Sequence, residues 1–128
     1  MHRDDEVERA AIEYVLAYEA ENHRTAEDLS PLKLPYDIRS VDGDGNTRYI
    51  EVKGRAGVGG VELSEREWLT AENMGEDYWL YIVTDAKHDP SLKVIRNPVR
   101  NLSDSGIIKR TRYHIPADAW QGASGESD

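Results

Sequence analysis

The segment that most limits the fold is 36–53, two alternating stretches joined by the turn-rich run Asp42-Gly43-Asp44-Gly45-Asn46. Before the turn, Tyr36, Ile38 and Ser40 alternate with Asp37, Arg39 and Val41. After it, Ile50 and Val52 alternate with Tyr49, Glu51, Lys53 and Arg55. A period of two on both sides of a glycine-rich turn predicts a β-hairpin. If the hairpin is symmetric about Asp44, Ile38 faces Ile50, Arg39 faces Tyr49 and Asp37 faces Glu51. Glu51 and Lys53 then leave one face of the strand while Val52 enters the core. Two carboxylates placed opposite each other repel and weaken a sheet. A hard divalent ion held by both removes that penalty. Lys53 beside them would orient a water molecule and stabilise charge developing on a phosphodiester. The competing expectation is a solvated polar face with Glu51 and Lys53 in ordinary surface pairs.

The rest of the chain supplies elements to pack on this hairpin. Val7, Ala11, Tyr14, Val15 and Tyr18 share a helical face, predicting a helix over 5–21 with Asp4 and Asp5 at its start. The polar stretch 22–34 reads as loop, and the glycine-rich 55–60 as a mobile loop. Ser64-Glu65-Arg66-Glu67 is a capping box opening a second helix, which Gly75 would end. Residues 78–84 read as a buried strand, and 92–96 and 107–115 as two further strands. Tyr78, Trp79 and Tyr81 are expected in the core rather than on a base-stacking surface. The order predicts a mixed α/β (α+β) fold, one domain over 1–120, and a polar tail over 121–128.

Charge is unevenly spread. The chain carries 16 Lys and Arg against 25 Asp and Glu, a net −9, a poor overall partner for a polyanion. Residues 92–116 stand apart: Lys93, Arg96, Arg100, Lys109, Arg110 and Arg112 face one acidic residue. That segment is expected to meet nucleic acid, with Arg110 and Arg112 on one strand face, or else to neutralise the acidic helices. High acidity, arginine in excess of lysine and no phenylalanine suggest a halophilic protein. No run is long enough to span a membrane, the charged first residues do not resemble a secretory signal, and cysteine is absent. The expected setting is cytoplasmic. Asp42-x-Asp44-x-Asn46 fails as a calcium loop because Thr47 stands where glycine is needed. Four scattered histidines have no zinc spacing.

Pro35-Tyr36-Asp37 followed by Glu51-Val52-Lys53 resembles the PD-(D/E)XK signature of restriction-endonuclease-like nucleases. Tyr36-Asp37-Ile38-Arg39-Ser40, Tyr49-Ile50-Glu51-Val52-Lys53-Gly54-Arg55, Leu63-Ser64-x-x-Glu67-Trp68 and Gly75-Glu76-x-Tyr78-Trp79-Leu80-Tyr81-Ile82-Val83 are similar to the NO VEIN C-terminal domain family. The resemblance implies an αβββαβ core with a mixed sheet flanked by two helices. It also implies a nuclease using Mg2+ or Mn2+ on DNA, or on RNA, with Asp37 and Glu51 as metal ligands and Lys53 as the third catalytic residue. Relatives carry a helix carboxylate about two dozen positions before the motif aspartate. Glu13 fits that spacing, with Glu19 as its rival. Arg39 and Arg55, flanking the motif residues, are expected to contact nucleic acid with Arg110 and Arg112. The family's setting implies a module of a helicase-like or defence-associated protein, either cutting or only binding nucleic acid.

Overall fold

The computed structural model describes residues 3–102, 106–109 and 112–123. Its central sheet has five strands in the order β1-β2-β3-β5-β6: β1 Thr25–Asp28, β2 Ile38–Val41, β3 Thr47–Gly54, β5 Tyr78–Thr84 and β6 Ser91–Arg96. All pairings are antiparallel except β3 with β5, which is parallel. A parallel pair needs a long crossover, and here it carries β4 Val61–Ser64 and helix α2 Glu65–Met74. Every residue of β5 is buried, as befits a strand with a neighbour on each edge and a layer on each face.

Helix α1, Arg3–Glu21, covers one face. Val7, Ala11, Ile12 and Val15 pack on Ile38, Ile50, Val52, Trp79, Tyr81 and Val83. Gly54 lets α1 come close, since a Cβ there would lie 2.7 Å from the Ala11 Cβ and 3.1 Å from the Val7 carbonyl oxygen. The other face meets α2 and a second sheet of order β4-β8-β7, with β7 Ile108–Lys109 and β8 Arg112–Ile115. Its core joins Val61, Leu63, Trp68, Leu80, Ile82, Ile95, Tyr113 and Ile115. Trp68 stacks on Tyr113 with ring centroids 4.4 Å apart. Short helices α3 Pro98–Asn101 and α4 Ala117–Gln121 close this side, with Trp120 buried.

A buried polar knot ties α1 to the sheet. The Glu19 carboxylate is fully buried and accepts from Arg24 Nε at 2.6 Å and Nη2 at 2.8 Å, from Ser40 Oγ at 2.8 Å and from Tyr81 OH at 2.7 Å. A buried carboxylate is tolerable only when so thoroughly paired.

The hairpin register is as expected, with Ile38 opposite Ile50 and Arg39 opposite Tyr49. The capping box is present, Gly75 ends α2 at φ 57°, and Tyr78, Trp79 and Tyr81 are core. Several expectations need correction. Stretch 22–34 is not all loop: β1 and a 3-10 turn, Ser30–Leu32, lie within it. β1 is a polar edge strand that pairs through its backbone, so no apolar alternation announces it. α1 starts at Arg3, which puts Asp4 and Asp5 inside the helix rather than before it. Loop 55–60 is tied down, by Arg55 N–H to Val83 O, Asp85 N–H to Gly57 O, Arg55 Nη1 to Gly60 O and Trp120 Nε1 to Gly59 O. The single strand expected over 107–115 is two antiparallel strands, with Ile108 opposite His114.

Candidate active site

Asp37 sits one residue before β2, beyond the last paired position. Its N–H donates to Ile50 O at 2.8 Å, and its carboxylate Oδ2 accepts the Val52 N–H at 2.9 Å. The aspartate therefore replaces a ladder bond with its own side chain, which pins the carboxylate against β3 beside Glu51. Burial pushes the Asp37 pKa up to about 6, against the pull of the Val52 N–H and Lys53.

Glu51 is almost fully buried, not on a solvated face. The reason is that α2, laid over the crossover, covers the face where the sequence pattern places Glu51 and Lys53. Lys53 Nζ lies 3.1 Å from Glu51 Oε2 and 3.1 Å from Glu67 Oε1. Glu51 Oε1 is buried and has no hydrogen-bond partner among the described residues. Burial holds the Glu51 pKa well above its ordinary value, with Asp37 and Glu67 adding to the rise against Lys53. Burial also disfavours the Lys53 ammonium, but the Glu51 and Glu67 carboxylates outweigh it and keep the group charged. Glu67 is held below its ordinary pKa: burial opposes this, and Lys53 and the Ser64 N–H override it. That N–H donates to Glu67 Oε1 at 2.8 Å, so one glutamate both caps α2 and anchors the lysine.

These groups open into a cleft of about 470 Å³ whose lining includes Glu8, Lys33, Asp37, Glu51, Lys53 and Glu67. The far wall hangs from two tethers, Arg66 Nη1 to Lys33 O at 2.9 Å and Tyr78 OH to Pro35 O at 2.7 Å. Burial raises the Tyr78 phenol pKa, and Glu51, Glu67 and Asp37 add to it, so the tether stays protonated.

The structure brings Asp37, Glu51 and Lys53 together but leaves both helix candidates outside. Glu13 is exposed and pairs with Arg9 at 3.5 Å, and Glu19 belongs to the buried knot on the opposite face of the sheet. The expectation for Glu13 is corrected because counting back from Asp37 fixes a distance along the chain, not a side of the helix. Glu8 and Asp5, one turn apart with Ile12, are the α1 carboxylates that line the cleft. Glu67 also escaped the sequence reading, which gives it a part only in the capping box and in the family resemblance.

Among the expected nucleic-acid contacts, Arg39 is exposed, pairs with Glu27 at 2.7 Å and does not line the cleft. Arg55 lines a smaller pocket that shares Lys53 with the cleft. Arg110 and the side chain of Arg112 lie outside the described residues. Elsewhere in the basic segment, Arg96 Nε donates to Glu76 O at 2.8 Å, and both Arg96 and Arg100 face the Glu76 carboxylate. For these two, neutralisation within the domain is what the geometry favours.

Among the described residues, no group of three or more acidic or histidine side chains is already gathered as a metal cage. The donor set nonetheless fits a hard cation. Two carboxylates with raised pKa values stand side by side, and one buried oxygen lacks a partner, the kind of atom a Mg2+- or Mn2+-type ion satisfies.

Comparison with known proteins agrees with this architecture. The family model described as Protein NO VEIN, C-terminal, matches residues 7–95. No curated protein matches the chain. Among solved structures, Hjc, a Holliday junction resolvase from the archaeal hyperthermophile Archaeoglobus fulgidus, is similar at a TM-score of 0.61. Its identity is 16%, over 88% of this chain and 94% of that one. The fold is restriction-endonuclease-like. The family match spans Glu8, Asp37, Glu51, Lys53 and Glu67 and stops before the second sheet is complete. Among the described residues, no helix is long and apolar enough to cross a membrane.

Proposed function

This chain belongs to the NO VEIN C-terminal family, and from that membership and its cleft we propose a metal-dependent nuclease-type domain that hydrolyses phosphodiester bonds in DNA. The observation that carries the proposal is the meeting of Asp37, Glu51 and Lys53 in one cleft, with Glu51 Oε1 buried and without a partner among the described residues. Asp37 and Glu51 would hold Mg2+ or Mn2+. Such an ion supplies Lewis-acid polarisation of a phosphoryl oxygen and a more acidic bound water.

The chain's own residues do the remainder. Asp37 and Glu51 must give up their protons to become ligands, so cation affinity rises with pH. Glu67 keeps Lys53 charged and in place, and the ammonium supplies fixed positive charge for the phosphoryl oxygens while orienting the attacking water. Hydrolysis adds water across a P–O bond and leaves a phosphate monoester and a hydroxyl. Glu8, on the α1 wall, takes the position for which Glu13 was expected. That a structural neighbour is a Holliday junction resolvase supports DNA as the substrate class. The family's description as a C-terminal portion supports a place within a larger protein, which on this reading is helicase-like or defence-associated.

A second reading has one observation behind it. Lys53 is closed into an ion network with Glu51 and Glu67, as it would be in a silent module that keeps the fold and only binds nucleic acid. A cleavage assay decides between them: single-stranded, duplex and branched DNA, and RNA, with Mn2+, Mg2+ or chelator, at high and low salt. Metal-dependent cutting that Lys53→Met abolishes supports the nuclease. Binding without cutting under every condition supports the silent module.

A further inference from the structure

The loop after β3 builds a second, smaller pocket of about 240 Å³, lined by Lys53, Gly54, Arg55, Gly60, Val61, Glu62 and His114. Lys53 lines the main cleft as well, so the two cavities meet at this one side chain. The pocket is furnished with N–H donors from Lys53, Arg55 and His114, opposed by the single carboxylate of Glu62.

Two adjacent glycines make this arrangement sterically feasible. A Cβ on Gly59 would lie 2.8 Å from the Arg55 guanidinium, and one on Gly60 would lie 2.5 Å from the His114 ring. Each glycine therefore vacates the space that one donor occupies. The donors are also held in place. Arg55 Nη1 donates to Gly60 O at 2.8 Å, Trp120 Nε1 donates to Gly59 O at 3.0 Å, and His114 Nδ1 lies 3.8 Å from Glu62 Oε2. Arg55 continues the line of β3, its N–H bonding Val83 O at 2.9 Å. Two residues along an extended strand carry it about 7 Å beyond Lys53, comparable to one step between phosphates on an extended nucleic-acid strand.

We propose that this pocket is a positioning subsite for a second backbone phosphate of the substrate strand, one linkage from the phosphate over Asp37 and Glu51, with Arg55 and His114 as its donors. This deepens the nuclease reading and rests on it for the direction of the strand. Phosphate contacts of this kind set register without reading sequence. His114 lies on β8, outside the residues matched to the family, so this half of the track belongs to the second sheet.

The test is binding of fluorescent single-stranded DNA by the full chain in chelator, followed by anisotropy across a salt series, so that it does not depend on cutting. Arg55→Gln and His114→Gln are compared singly and together, with circular dichroism to confirm folding. The double variant is expected to bind less tightly and to lower the slope of log K against log salt by about 0.7 per lost phosphate contact. A series of oligonucleotides with one uncharged methylphosphonate linkage, moved stepwise, should show one linkage whose neutralisation weakens the wild type but not the double variant. A folded double variant with unchanged affinity and slope overturns the proposal, as does failure of the wild type to bind. Discrimination that depends only on a terminal 5′-phosphate overturns the one-linkage placement. If the wild type binds as expected yet cuts under no metal condition, the nuclease reading fails while the subsite stands.

Discussion

Replacing Asp37 with asparagine should stabilise the metal-free protein, and the gain should depend on pH with a definite sign. The Asp37 carboxyl titrates at about 6 in the folded chain, against an ordinary 3.8, because burial outweighs the Val52 N–H and Lys53. A carboxyl whose folded pKa is raised binds its proton more tightly when folded, so folding is penalised once pH rises above the unfolded value. The penalty is absent below about pH 4, grows through the window to about pH 6 and is complete above it. At 1.36 kcal/mol per pKa unit the difference corresponds to about 3 kcal/mol, an upper figure because the group keeps some contact with solvent. Asparagine retains a side-chain oxygen to accept the Val52 N–H but carries no charge. The assay is urea denaturation of wild type and Asp37→Asn in chelator from pH 4 to pH 8. The expected result is near-equal stability at pH 4 and a variant more stable by about 1–3 kcal/mol at pH 7. Asp28, Asp42 and Glu67 shift the opposite way and Glu51 shifts the same way, so the difference between the two proteins, not either curve, carries the test. A variant equally or less stable at pH 7 would show that the Asp37 charge is already compensated, and the case for a cation-binding carboxylate pair would go with it.

Lys53→Met should cost about 1–3 kcal/mol in the absence of metal, since it leaves the buried Glu51 and half-buried Glu67 without their shared cation; unchanged denaturation midpoints would contradict that. Gly54→Ala should lose about 1–3 kcal/mol, because the added methyl meets the Ala11 Cβ and the Val7 carbonyl rather than a flexible chain end; thermal melts of the purified variant measure it. Melting temperature should climb between about 0.1 M and about 3 M salt as screening relieves a net −9, and a flat profile removes the halophile reading.

The parts of this molecule that were legible in its sequence are those in which one local rule acts alone. The hairpin register could be read because the turn fixes it and Ile38 and Ile50 must share a buried face. α2 could be read because Ser64, Glu67 and Gly75 mark its ends. The site was legible as far as side-chain alternation reaches: Glu51 and Lys53 share a face. What lies over that face was not, because α2 reaches it through the crossover, and nothing within 47–54 shows that Glu67 will meet Lys53. β1 was missed for a related reason, since Thr25-Ala26-Glu27-Asp28 pairs through amides and carbonyls that every residue possesses. The choice of Glu13, with Glu19 as its rival, treated a helix as a ruler, whereas its orientation is set by Val7, Ala11 and Val15 against the sheet and by the Gly54 contact.

The parallel pairing of β3 with β5 also bears on how the site comes into being. A hairpin such as β2–β3 closes locally and early, but β3 can meet β5 only after the chain between them has folded back across the sheet. Non-local closure of this kind is slow relative to hairpin formation. Asp37, Glu51 and the turn between them can therefore gather while Lys53 still lacks Glu67 and water still reaches every oxygen. Only when the crossover docks does Glu51 become covered, and only then does the lysine acquire its second anchor. The electrostatic character of the cleft thus depends on closure of the crossover: the signature alone, before α2 docks, carries neither the covered Glu51 nor the doubly anchored Lys53.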